Sequence, residues 1–150
     1  MRVWRICREG HQALDGEGSR LYGGRWNSEH VSVVYTSSTL ALAALEYLVH
    51  VDIEDVPDDL VAMAIEVPDD AGEGMVAVDD LPPDWKHVPD HPACARIGDQ
   101  WAAGGAVLLL RVPSAVVPEE SNLLINPDHP RAGDVLVVSI RPFAFDSRLV

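Results

Sequence analysis

Cysteine is scarce in this sequence. Cys7 and Cys94 are the only two among 150 residues, too few for a disulfide framework. That scarcity predicts a reduced, cytoplasmic setting. No Cys-x-x-Cys pair occurs, no Gly-x-Gly-x-x-Gly, and no Gly-x-x-x-x-Gly-Lys followed by Ser or Thr. A Rossmann site and a P-loop are therefore not expected. No apolar run approaches the roughly 18 residues of a membrane span. The opening Met-Arg-Val-Trp-Arg-Ile-Cys-Arg lacks the apolar core of a signal peptide. Bases are also few: 11 Lys and Arg stand against 24 Asp and Glu, for a formal net charge of −13. Direct nucleic-acid binding is a poor fit to such a charge.

The acidity is local. Residues 52–90 hold thirteen acids and one base, Lys86. Residues 1–25 hold Arg2, Arg5, Arg8, Arg20 and Arg25 against three acids, so the N-terminal quarter can still offer a positive pocket. The acidic segment reads as a solvated face or as a dock for a basic partner. A hydrophobic content of 47% and a length of 150 residues predict one domain, 1–150, with a sizeable core.

Strands are predicted at Val3–Cys7, Val31–Thr36, Leu60–Val67, Ala106–Val112 and Val135–Arg141, with short extended pieces at Val116–Pro118 and Asn122–Asn126. Residues 9–24 read as a long loop and 68–74 as a turn. Helices are predicted at 39–51 and Ala93–Ala103, the second with Pro92 near its start and Gly104-Gly105 at its end. Ser37, Ser38 and Thr39 are the N-cap candidates of the first helix. Several strands interrupted by only two helices predict an α+β fold with a mixed sheet.

One residue stands out in that first helix. Glu46 is the only acidic or basic side chain, histidine aside, between Leu40 and Val51. The helix is apolar nearly all round, which predicts burial. A buried carboxylate costs several kcal/mol unless it finds a partner, a shifted pKa or a ligand. The plainer alternative is a salt bridge to an arginine, or a helix face that meets water. Three more residues complete a candidate catalytic set. Arg25, after Gly23-Gly24, presents a fork suited to phosphate. Tyr35 closes a strand and can stack on a ring. Ser114, after Pro113, can hydrogen-bond a ligand. Each also has an ordinary reading: an exposed arginine, a half-buried core tyrosine, a turn serine. His87, His91 and Cys94 have spacings that suit zinc, but prolines at 82, 83, 89 and 92 work against a ligand-bearing helix, so no metal is expected.

Gly-Gly-Arg-Trp-Asn at 23–27, Leu-Glu-Tyr at 45–47 and Pro-Ser-Ala-Val-Val-Pro at 113–118 occur in order. So do Trp-Arg-Ile at 4–6, Val-Tyr-Thr-Ser at 34–37, Asn-Leu-Leu-Ile-Asn-Pro at 122–127 with His129, and Phe-Ala-Phe-Asp-Ser-Arg-Leu at 143–149. In these the chain resembles the RES-domain family, named for an Arg, a Glu and a Ser, here Arg25, Glu46 and Ser114, with Ser121 a rival for the serine. The resemblance implies a fold related to ADP-ribosyltransferases and a toxin of a bacterial toxin–antitoxin pair. It implies NAD as substrate, cut at the nicotinamide–ribose bond by water or phosphate, or used to ADP-ribosylate a protein. Glu46 would stabilise the developing positive charge, Arg25 hold the pyrophosphate or ribose side, Tyr35 pack on nicotinamide or ribose, and Ser114 orient the nicotinamide half. Arg5 is a second phosphate candidate, and Asn122 and Asn126 are candidate pocket residues. The implied partner is an antitoxin with a helix-turn-helix DNA-binding domain, and the implied assembly a homodimer. A non-catalytic NAD- or protein-binding module is the competing reading.

Overall fold

The computed structural model describes residues 1–150. Alternating side chains build seven strands: β1 (Arg2–Arg8), β2 (Val34–Ser37), β3 (Leu60–Glu66), β4 (Glu73–Met75), β5 (Leu109–Pro113), β6 (Ser121–Ile125) and β7 (Leu136–Pro142). They form one sheet in the order β4-β5-β6-β2-β1-β3-β7. Every pairing is antiparallel except β4 with β5, so the sheet is mixed and the expected α+β class holds. Three α-helices accompany it: α1 (Glu17–Tyr22), α2 (Leu40–Leu48) and α3 (Pro92–Gly104). No helix is long and apolar enough to cross a membrane.

The register sorts the side chains onto two faces. Val3, Cys7, Val34, Met63, Ile65, Leu109, Leu123 and Ile125 share one buried cluster. On the opposite face Leu110, Val112 and Leu124 pack with Trp26, Trp85 and Cys94 beneath α3. Farther along that face Ile6 and Ala62 pack against Ala43 of α2. Trp4 pairs with Ser37, and Ser37 with Asn122, so polar residues occupy the middle of a largely apolar face.

Two pairings decide where openings lie. β1 and β3 are in register over seven residue pairs, whereas β1 meets β2 only at Trp4 and Ser37. The strands diverge beyond that point, and a cleft of ≈ 450 Å³ opens there, lined by Arg5, Val33, Val34, Tyr35 and residues of the 10–22 segment.

Four expectations need correction. The piece at 116–118 is not extended but a bend and turn between β5 and β6, closed by the Glu120 N–H donating to the Val117 carbonyl at 2.9 Å. The 9–24 loop contains α1, a six-residue helix whose Gly16 and Gly18 hid it from a propensity reading. The turn at 68–74 runs into β4, three residues that pair in parallel with β5. Helix α2 is shorter than 39–51 and is not buried all round: only Leu42 and Ala43 are buried, while Leu45 and Val49 are 40% and 57% exposed. The helix lies on the sheet by one stripe, and nothing in this chain covers the other. Thr39 is the N-cap, its hydroxyl accepting from the Leu42 N–H at 3.1 Å. Helix α3 starts with Pro92 and ends on Gly105 at φ +61°, as predicted for its ends.

Candidate functional site

Glu46 sits in the last turns of α2, over the polar middle of the sheet face. Its Oε1 accepts a hydrogen bond from the Ser114 hydroxyl at 2.6 Å and another from Asn122 Nδ2 at 2.7 Å. No arginine, lysine or histidine forms an ion pair with it. The partner anticipated for this carboxylate is therefore a pair of neutral donors. Oε2 accepts no hydrogen bond from the protein, and the side chain is half-buried. A negative charge kept by neutral donors keeps its field, whereas a bound guanidinium would cancel it.

Ser114 ends the β5 region, where Pro113 stops the ladder. It is fully buried. Its oxygen accepts from the backbone N–H of Val116 at 3.1 Å and of Val117 at 3.0 Å while its proton goes to Glu46. Those three bonds use the hydroxyl's proton and both lone pairs, so Ser114 acts on the carboxylate and leaves nothing for a ligand. Ser121 has no bond to Glu46; its carbonyl accepts from the Ser38 N–H. Asn122, on β6, is held from behind: its Oδ1 accepts from the Ser37 hydroxyl at 2.7 Å. Ser37 was legible in the sequence only as a capping candidate and as the end of the Val-Tyr-Thr-Ser motif.

Arg25 and Tyr35 belong to a second cluster. Arg25 is 16% exposed. Its Nη1 donates to the Trp85 carbonyl at 2.8 Å and the His87 carbonyl at 3.3 Å, and Nη2 pairs with Asp90 at 3.2 Å. It thereby ties the 82–91 loop to the Gly-Gly-Arg-Trp-Asn turn. The Tyr35 hydroxyl donates to Asn27 Oδ1 at 2.7 Å and accepts from the Trp26 N–H at 3.1 Å. Burial pushes its phenol well above the ordinary tyrosine value, the Trp26 N–H working the other way. Asn27 Nδ2 in turn lies 2.9–3.1 Å from the carbonyls of Ser19, Ser28 and Val31, which share its two protons. The turn is built too tightly for side chains: a Cβ on Gly24 would stand 2.7 Å from the Tyr35 oxygen, and one on Gly98 of α3 would stand 1.7 Å from the Trp26 carbonyl oxygen. Asn27 and Gly98 drew no separate notice in the sequence. The only signal was Asn27's place in a Gly-Gly-x-x-Asn turn.

The remaining candidates are dispersed. Arg5 points away from the Trp4–Ser37 face, lines the β1–β2 cleft with Tyr35, and donates to the carbonyls of Ala13 and His11 at 3.1 Å. Asn126 is buried and ties the β6 end to α3 through the Ala102 carbonyl at 3.1 Å. His91 caps α3, its Nδ1 accepting from the Ala93 N–H at 3.0 Å, and Cys94 is buried beneath it. Glu46 does not line the ≈ 450 Å³ cleft, so the structure presents a cleft and a held carboxylate as separate features.

A RES-domain family model matches residues 2–146. The chain belongs to the RES-domain family. Among its relatives, the Prs ADP-ribosylating toxin of a Sphingobium species is 38% identical, over 98% of this chain and 95% of that protein. Toxin Res of Yersinia enterocolitica is 36% identical over 99% of both chains. Among solved structures, the M. tuberculosis MbcT–MbcA toxin–antitoxin complex matches with a TM-score of 0.79 at 18% identity, covering 95% of this chain and 84% of that one. At that identity the likeness is one of fold. The RES motifs thus fall into two spatial groups: the Glu and the Ser meet, while the Arg anchors a neighbouring loop.

Proposed function

We propose that this chain is the toxin of a toxin–antitoxin pair and that it acts on NAD in the cytoplasm, breaking the nicotinamide–ribose bond. The observation that carries the reading is Glu46: a half-buried carboxylate with no cationic partner, fixed through one oxygen and open at the other. In the reaction the C1′–N bond breaks, its electron pair leaves with neutral nicotinamide, and the ribose develops oxocarbenium character. A fixed, unneutralised carboxylate stabilises that charge more than it stabilises the ground state. An oxygen of water or phosphate then bonds to C1′, and a proton lost by the acceptor goes to solvent. The leaving group is already cationic, so the scheme asks for no metal.

Glu46 is the catalytic residue of this scheme, held by Ser114 and Asn122. Arg25 is already committed to Asp90 and two carbonyls, so its use on a diphosphate requires that phosphate displace Asp90. Tyr35 offers its ring, because its hydroxyl is spent on Asn27. Arg5 lines the cleft and is a second phosphate-holding residue of this reading once it releases the Ala13 and His11 carbonyls, and Asn126 contributes through the position of α3. The relatives named Toxin Res support the toxin assignment, and the solved complex supports an antitoxin as partner. A helix-turn-helix module on that antitoxin and a homodimer of this chain complete the proposal.

The name of the Sphingobium relative favours a second reading, transfer of ADP-ribose to a protein. One experiment separates the two: nicotinamide release from NAD by purified protein, with and without inorganic phosphate, beside Glu46→Gln. Release with free ADP-ribose means hydrolysis, and phosphate-dependent release with a phosphorylated product means phosphorolysis. Release that needs a protein acceptor and labels it means transfer. No release under any of these conditions overturns the assignment.

A further inference from the structure

We infer that Ser37 is a positioning residue for Glu46, acting through the Asn122 amide; the inference rests on the reading of Glu46 as the catalytic carboxylate. The chain of bonds has one consistent direction. A carboxylate can only accept, so Asn122 must turn Nδ2 toward Glu46 and Oδ1 away from it. The Ser37 hydroxyl, 2.7 Å from Oδ1, must then donate. Ser37 and Asn122 are buried and directly opposed in the β2–β6 ladder. The ladder therefore fixes the amide at its carbonyl end while its other end grips Glu46 at 2.7 Å. Without the Ser37 hydroxyl, Oδ1 becomes a buried acceptor with no donor, and the amide gains by turning toward another one. Glu46 then keeps only the Ser114 bond at 2.6 Å and can swing about it. Two bonds from two strands, β6 and the end of β5, define where Oε2 points; one bond does not. Polarised by the Val116 and Val117 N–H groups, Ser114 is the stronger arm, and the Ser37–Asn122 arm sets the angle.

The test is a double-mutant cycle on nicotinamide release, with Ser37→Ala, Asn122→Ala and the pair, read beside the Asn122 side-chain amide signals in 15N–1H spectra. Ser37→Ala is expected to lower kcat about tenfold with KM little changed, a loss typical of a misplaced catalytic group. In the Asn122→Ala background the same change is expected to add nothing, because its only route is gone. The Asn122 amide protons should lose their exchange protection in Ser37→Ala. Equal losses in both backgrounds, or an amide unaffected by Ser37→Ala, overturn the inference. Wild-type protein that releases no nicotinamide overturns the reading of function instead, and the amide spectrum then decides the positioning alone.

Discussion

Two polar clusters lie near one another in this fold and spend their hydrogen bonds differently. Around Glu46, Ser114, Asn122 and Ser37 place two neutral donors on one carboxylate oxygen and leave the other oxygen free. Around Asn27, Tyr35 and Arg25, each named polar group is spent on the protein: three carbonyls and a phenol on Asn27, two carbonyls and Asp90 on Arg25. The first arrangement leaves one carboxylate oxygen without a protein partner. The second holds a turn, a strand and a loop together. Under the proposed function, motif residues of one family divide into a reacting half and a building half, and their chemistry does not predict the division. A guanidinium suited to phosphate can equally staple a loop.

Glu46→Gln should show the largest effect. It keeps shape and can still accept the Ser114 and Asn122 bonds, but it removes the charge. Nicotinamide release is expected to fall about 10²–10³-fold, with the thermal midpoint little moved. A variant that still depletes NAD breaks the comparison at its centre.

Asn27→Ala should come next and should read on stability. It strips donors from three carbonyls and the acceptor from Tyr35, for an expected loss of about 3 kcal/mol by denaturant titration. If the protein stays as stable and only kcat falls, Asn27 belongs with the reacting half.

Tyr35→Phe is expected to cost about 1–2 kcal/mol near neutrality, because it leaves Asn27 Oδ1 without its donor and the Trp26 N–H without its acceptor. It should also change the alkaline limb. Burial raises the folded-state pKa of Tyr35 above its unfolded value, so the folded protein holds that proton more tightly. The stability this contributes is full below the unfolded value of about 10 and is lost as pH rises above it. Denaturant midpoints taken upward from pH 9 should fall less steeply in the variant. Equal slopes would mean that Tyr35 ionises without opening the turn.

Asp90→Asn should show the smallest effect, under about 1 kcal/mol at low salt and nearly none in strong salt, because the Asp90 partner is 43% exposed. A loosened 82–91 loop with unchanged kcat would sharpen the view of Arg25 as a staple. A gain in affinity for NAD would instead place Arg25 on the substrate's phosphates.

Glu46 was legible from sequence because a lone carboxylate in an apolar helix is costly without partners. Its partners were not. Ser114 and Ser121 both stand at strand ends, the first among apolar neighbours and the second beside two glutamates, and only the folded chain brings Ser114 to the carboxylate. Asn122 was a named pocket candidate, but its grip on Glu46 depends on the β2–β6 register that opposes it to Ser37. A one-residue slip would turn it to the other face.

The sequence by itself determined six of the seven strand segments, the ends of α3, the α+β class and the lone carboxylate of α2. Those follow from local propensity, period-two alternation and the cost of burying a carboxylate, all written within a few neighbouring positions. The tertiary structure alone decided the sheet order, the parallel β4–β5 pair, the exposed side of α2 and the different partners of Arg25 and Glu46. Each depends on pairings between residues distant in the chain, such as Glu46 with Asn122 across 76 positions and Arg25 with Trp85 across 60, which no local pattern encodes.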